Sequence, residues 1–268
     1  MATVQTTRFN AWSQVGPLLA AAGLPLALTQ VGRVLIKPNL VADQPPPMTT
    51  PVDLVAEIVR YLQGIRPGLE ILVADGCGSL KYDTWEVFRN QGYTEMAAAC
   101  GITLLDLNEA PLRRLSMPQC RRWPEIYLPK DVLDSFVISV PVLKAHSMAG
   151  VTLTMKNMMG AAPPRYYQQD GHWRKASFHE GIQAAIFDLN QYRRPDFTVL
   201  DATVGMAEAH LWGPVCDPPR NRLAAARDPV AIDAYGAGLL GLDWRRIGHI
   251  SMAHGVLGEA EPLTVCEL

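Results

Sequence analysis

Three of the chain's six lysines follow apolar runs: Lys37 after Val34-Leu-Ile36, Lys144 after Val140-Pro-Val-Leu143, and Lys156 after Thr152-Leu-Thr-Met155. An ammonium carried into apolar surroundings is costly unless an anion pairs with it or it loses its proton. Two readings follow. The lysines are ion-paired or snorkelling scaffold residues, or they share a site for an anionic ligand. Ligands of open parallel sheets gather where the strands end. Asp75 and Asp201 also close apolar runs, which favours convergence.

The stretch 140–160 concentrates this chemistry. Lys144 and His146 are two residues apart, so an extended segment puts them on one face. Thr152, Thr154 and Lys156 alternate with apolar residues. If residues 151–159 form a strand they share a face, and if they form a helix Thr152 and Lys156 are four apart and still neighbours. Either geometry sets a hydroxyl near Lys156 and suits a carboxylate or phosphate. Burial would also lower a lysine pKa enough for general-base work. The expected assignment is Lys144 and Lys156 as anion or cofactor holders and His146 as acid/base. Lys37, Asn39, Asp75, Asn157, Thr154 and Asp201 complete the pocket. Asp75-Gly-Cys-Gly-Ser79 reads as a strand-to-loop turn, in which Gly76 and Gly78 could bring backbone N–H groups to an anion. It lacks both the dinucleotide-binding and the P-loop spacing. Without a ligand it is a tight turn, with Cys77 a small loop residue.

Metal binding is a third chemistry. His172 and His179 are the candidate ligands, with His146, Asp201 or Glu208 nearby in the reading, although the spacing matches no standard zinc motif. The five cysteines are dispersed, with no C-x-x-C pair. That argues against an iron–sulfur cluster held by this chain alone and fits a reducing compartment. Asp228 reads as a helix cap. Asp233, inside a small-residue and apolar helix, is the more unusual carboxylate.

The elements that must position these groups alternate. Strands are expected at Val34–Ile36, Glu70–Ala74, Ile102–Asp106, Phe136–Val140 and Phe197–Leu200. A helix after residue 50 starts with Thr50 as N-cap and Pro51 at its first position, and carries an apolar stripe of Leu54, Ile58 and Leu62. Further helices are expected after Thr84, over His179–Tyr192, and after Asp228-Pro229. Residues 107–130, rich in Arg and Pro, read as an exposed connection or hairpin. Residues 161–178 read as a long loop of functional type, a lid. The pattern predicts an α/β fold with a mostly parallel sheet, helical crossovers and the site at strand C-terminal ends. It occupies residues 1–268 as one domain, or as two lobes divided near 107–130.

Composition sets the outer bounds. With 49 % apolar and 19 % charged residues in a chain of 268, a sizeable core is expected. A net charge of −2 leaves no nucleic-acid footprint. No run approaches the roughly 18 apolar residues of a membrane span. The Ala/Leu-rich stretch Val15–Leu28 is interrupted by Gly16, Pro17, Gly23 and Pro25, so it reads as a helix and turn rather than a signal segment. The cytoplasm is the expected compartment.

VLIKPNL (34–40), VPVLKAH (140–146), MKNMMG (155–160), LDATVGMAE (200–208), WGP (212–214) and RDPVAIDA (227–234) together resemble the domain of unknown function 362 family, over about residues 30–245. Many members of that family carry an appended ferredoxin-like segment, whose cysteines this sequence lacks. The resemblance implies an α/β fold and a shared site, with no assigned activity. His146-x-x-Ala-Gly150 followed by Lys156 also looks like the nickel-pincer lactate racemases. That likeness implies proton transfer at His146, anchoring of a substrate or nickel-pincer-like nucleotide at Lys156, and a metal ligand at His172. The paired glycines expected before the lysine are replaced by Thr152–Met155. The leading expectation is an enzyme acting on a small anionic metabolite. The alternatives are a metal-dependent racemase-like or isomerase-like enzyme, and a non-catalytic accessory protein that docks an iron–sulfur redox partner through Arg113–Arg122.

Overall fold

The computed structural model describes residues 2–268. Its strands are β1 (Ala2–Arg8), β2 (Arg33–Pro38), β3 (Glu70–Asp75), β4 (Thr103–Asp106), β5 (Leu112–Ser116), β6 (Glu125–Pro129), β7 (Phe136–Val140), β8 (Val142–His146), β9 (Gly150–Thr152), β10 (Phe197–Met206), β11 (Arg222–Ala226) and β12 (Leu263–Glu267). The main sheet runs β12-β1-β11-β10-β7-β2-β3-β4, with β8 beside β10 and β9 beside β8. From β10 through β7, β2 and β3 to β4 every pairing is parallel, while β11 is antiparallel to both its neighbours. The fold is therefore α/β with a mostly parallel sheet. Each strand expected from the sequence is present.

Both faces of the sheet are covered, because strand residues point alternately to either side. Val34, Ile36, Ile71, Val73, Ile138, Phe197 and Val199 pack on one face with the helix Val52–Ile65. Leu35, Leu72, Ala74, Val137 and Leu200 pack on the other with the helices Ile182–Tyr192 and Pro229–Leu239. Strands buried on both sides need continuous apolar runs, which is the pattern that makes β2, β3 and β7 readable in the sequence.

Two caps differ from expectation. Thr50 does not cap the helix Val52–Ile65, whose N-cap is Pro51 without a side-chain bond. Instead its hydroxyl donates to the Val140 carbonyl (2.7 Å) and accepts from the Asn39 N–H (2.8 Å), tying the ends of β2 and β7 together. Thr84 is likewise displaced as a cap by Asp83, which accepts from the Glu86 N–H at 2.7 Å. The Thr84 hydroxyl turns inward to Asp106. In both cases the hydroxyl accepts from an N–H of another segment, Asn39 or Cys77, and donates to a buried oxygen, of Val140 or Asp106. Asp228 does cap its helix, accepting from Val230 and Ala231. Residues 107–130 contain the hairpin β5–β6.

The chain leaves β2 toward β3 and β4, then returns to place β7 on the opposite side of β2. Such a reversal opens a crevice at the carboxyl ends of the two strands. Lys37, at the end of β2 and paired in register with Ser139 of β7, stands at that crevice.

Candidate functional site

A cavity of about 400 Å³ opens at these strand ends, large enough for a metabolite. Lys37, Asn39, Asp75, Gly76, Gly78, Lys144, His146, Lys156, Asn157 and His179 all line it. So do Lys175 and His210, which sequence reasoning did not single out. Four of the six lysines therefore share one wall-to-wall space.

Three of the four are held by the scaffold. Lys37 Nζ pairs with Asp75 Oδ1 at 2.6 Å and reaches Asn157 Oδ1 at 3.3 Å. Lys144 Nζ donates to Asn39 Oδ1 (2.6 Å) and the Met48 carbonyl (2.7 Å). Lys175 Nζ donates to Asn108 Oδ1 and the Ala162 carbonyl. Among the described residues only Lys37 of these four has a carboxylate partner. Burial accordingly pulls Lys144 and Lys175 down to about 7, with the Lys156 charge adding to the effect at Lys144.

Lys156 differs from the rest. It sits in the short helix Thr154–Asn157 that follows β9, so residues 151–159 are strand first and helix after. Its Nζ has no hydrogen-bond or ion-pair partner among the described residues, and burial alone pushes it down to about 8. The helix itself is anchored by Asp233, whose two carboxylate oxygens accept the Thr154 and Met155 N–H groups at 2.7 and 3.0 Å. Asp233→Asn would turn one acceptor into a donor facing a backbone N–H. An expected loss of about 1–3 kcal/mol follows, to be read from urea denaturation.

Asn157 and Asn39 join the cations into one network. Asn157 Oδ1 accepts from Asn39 Nδ2 and Lys37, while its Nδ2 donates to the Lys37 carbonyl and Ser139 Oγ. Gly160 lies directly over the Lys37–Asp75 pair, where a Cβ would overlap Asp75 Oδ1 and Lys37 Nζ. This explains a glycine at the end of MKNMMG.

The histidines take roles different from those expected. His146 Nδ1 accepts from the Met148 and Ala149 N–H groups, both at 3.1 Å. The neutral ring must then carry its proton on Nε2, and a second proton on Nδ1 would face two donors. Burial and the charge of Lys156 push His146 down to about 2, so the neutral ring presents its Nε2–H to the cavity as a donor. His210 stacks on it, centroids 4.0 Å apart and planes 16° apart. His179 is the reverse case. Its Nδ1 lies 3.3 Å from the Lys175 carbonyl, which can only accept. The tautomer that bond selects leaves the Nε2 lone pair as a proton acceptor.

Several expected site residues fall elsewhere. Thr154 is off the cavity, its hydroxyl bonded to Thr198 at 2.8 Å. Asp201 is buried and accepts from Thr203 N and Oγ1. His172 is exposed and does not join His179. Among the described residues no three His, Cys, Asp or Glu side chains group as a metal site. Gly76 and Gly78 line the cavity without offering N–H groups. The Gly76 amide bonds Asp75, the Cys77 amide bonds Thr84, and the Gly78 and Ser79 amides both bond the Val41 carbonyl. The long loop does contribute, through Trp173 and Lys175, and Arg174 fastens it to the Gly78 and Ser79 carbonyls. The fourth lysine was visible there as one more cation in a polar loop. His210 had no such signal, and Trp212 was visible only as the first residue of the WGP motif.

A mostly parallel sheet covered on both faces, with a cation-lined cavity at the strand reversal, defines an α/β protein with a strand-end cavity. The chain belongs to the family described as domain of unknown function (DUF362), which it matches over residues 34–238. It is also similar to a thylakoid-associated protein of Synechocystis sp., 26 % identical over 218 residues. That alignment takes in 79 % of this chain and 64 % of the relative's length. The lactate racemase apoprotein of Thermoanaerobacterium thermosaccharolyticum shares 7 % identity at a TM-score of 0.46, over 75 % of this chain and 50 % of the other. At that distance it carries no argument about reaction. No helix among the described residues is long and apolar enough to cross a membrane.

Proposed function

We propose that the cavity binds a small anionic metabolite, a carboxylate or phosphate, and that the protein is an enzyme moving a proton on it. The observation that carries this reading is the charge imbalance of the wall: Lys144, Lys156 and Lys175 face one space with no carboxylate partner of their own. In a partly enclosed site such lysines keep their protons at a cost, which a bound anion would offset. His179 Nε2 then acts as proton acceptor, and the His146 Nε2–H, bonded to nothing else and buried, donates to a ligand oxygen. Trp173, Met159 and Leu211 supply apolar wall against the carbon skeleton.

Docking of a redox partner through Arg113–Arg122 is the weaker reading. Arg113 is paired with Asp134, Arg114 with Glu125 and Arg122 with Glu180, so much of that basic segment is neutralised locally.

Titration calorimetry at pH 7 with sulfate, phosphate and oxalate tests the anion site. At least one is expected to bind with one-to-one stoichiometry. Lys156→Met should weaken it about tenfold or more, the loss of one charge-assisted hydrogen bond. Unchanged affinity in that variant would overturn the assignment.

A further inference from the structure

Lys156 is set apart from the other cavity lysines by what surrounds its nitrogen. Lys37, Lys144 and Lys175 each spend their protons on at least two fixed acceptors. Lys156 spends none, and it is partly accessible where it lines the cavity. An ammonium without acceptors and with cationic neighbours is disfavoured relative to one in water, so a larger share of Lys156 is free amine than of an ordinary lysine. Two further polar atoms on this wall are buried and without partners: Thr152 Oγ1, four residues before Lys156, and His146 Nε2. Buried polar atoms are seldom left unbonded, so these two point to a ligand oxygen that accepts from them.

We propose that Lys156 is a covalent nucleophile, forming an imine with the aldehyde or ketone carbon of a small oxo-carboxylate whose carboxylate is held by Lys144 and Lys175. This rests on the anion-site reading above and names the substrate class within it. The Lys156 Nζ lone pair adds to the carbonyl carbon, and the carbonyl π pair moves onto oxygen. That oxygen develops its charge against the two donors, His146 Nε2–H and Thr152 Oγ1–H. A proton moves from nitrogen to oxygen to give the carbinolamine. The remaining N–H proton then passes to the hydroxyl as the C–O bond breaks, so water leaves and the C=N bond forms with no oxidant or reductant required. Burial holds Lys156 down to about 8, so a usable share of amine exists at neutral pH, where an ordinary lysine has almost none.

The test is reductive trapping. The purified protein is incubated with glyoxylate or pyruvate and sodium cyanoborohydride, then analysed by intact mass and peptide mapping. One adduct per chain is expected, located on Lys156, suppressed by excess sulfate, and absent from Lys156→Arg and Lys156→Met variants that melt like the parent. Its formation rate should rise with pH through about 8. Adduct spread over the solvent-side lysines Lys81 and Lys130, or no adduct, overturns the proposal; the wild-type peptide map decides this alone if the variants fail to fold. Calorimetry with sulfate separates the two readings. Sulfate binding without an adduct removes only the imine, whereas neither binding nor adduct removes the anion site as well.

Discussion

Lys37→Met is expected to destabilise the protein by about 3–5 kcal/mol, the cost of stranding one partner of a buried ion pair. The pair is enclosed: Lys37 and Asp75 side chains are 1 % and 3 % exposed, and their contact is 2.6 Å. Asp75 would keep its bonds from the Leu40 and Gly76 N–H groups, but those amides cannot cancel a full charge. The effect extends beyond the pair, because Lys37 also bonds Asn157, which bonds Asn39, which holds Lys144. A fall in melting temperature on the order of 10 °C should accompany the loss. Adding Asp75→Asn to Lys37→Met removes the stranded charge and should recover much of the stability. Urea denaturation of the two variants checks both statements. A Lys37→Met protein within about 1 kcal/mol of the parent would show that the pair is dispensable.

Affinity for an anion of constant charge is expected to fall about a hundredfold or more between pH 6 and pH 9, that factor being the share of one lysine near 7. Lys144 and Lys175 lie near 7 and Lys156 near 8 in the free protein, all lowered first by burial. Below pH 7 the three ammonium groups are present and an anion meets them already charged. Above pH 8 they have lost protons that a bound anion must bring back, so binding and proton uptake become linked. Sulfate is the suitable probe because it does not itself titrate in this range. Calorimetry in buffers of different ionisation enthalpy should register net proton uptake at pH 8 and almost none at pH 6. A flat affinity profile would mean that the cations are not in the binding step. The same lowered pKa values fix a second sign. The unfolded chain binds more lysine protons than the folded one between about pH 7 and 10, so the lysine contribution to ligand-free stability grows across that interval.

Much of the fold was legible because its strands are buried on both faces. Val34–Ile36, Glu70–Ala74 and Phe136–Val140 are continuous apolar runs, and such runs in alternation with an amphipathic helix leave few architectures open. Local caps were read less well. Thr50 and Thr84 carry the right side chains to cap a helix, but a hydroxyl finds its strongest acceptor in three dimensions, and for both that acceptor belongs to another segment. The same limit applied to Thr154, satisfied by Thr198 far along the chain, whereas Asp201 is satisfied by Thr203 two residues on, a local turn bond that the reading passed over. The turn Asp75–Ser79 looked like an anion cradle, yet all four of its amides after Asp75 are consumed inside the protein.

The amino-acid sequence by itself determined that Lys37, Lys144 and Lys156 end apolar segments, and hence that each needs an anion, a neutral acceptor or a lost proton. Burial cost is a local property of residue type and pattern. Only the tertiary structure decided which solution each lysine takes: Asp75 for Lys37, amide and carbonyl oxygens for Lys144, and no partner among the described residues for Lys156. It also brought Lys175, His179 and His210 to the same cavity from segments without strong periodicity. It chose the tautomers that make His146 a donor and leave His179 an acceptor. Those outcomes depend on distances of a few ångströms between residues far apart in the chain, and no spacing along the sequence encodes them.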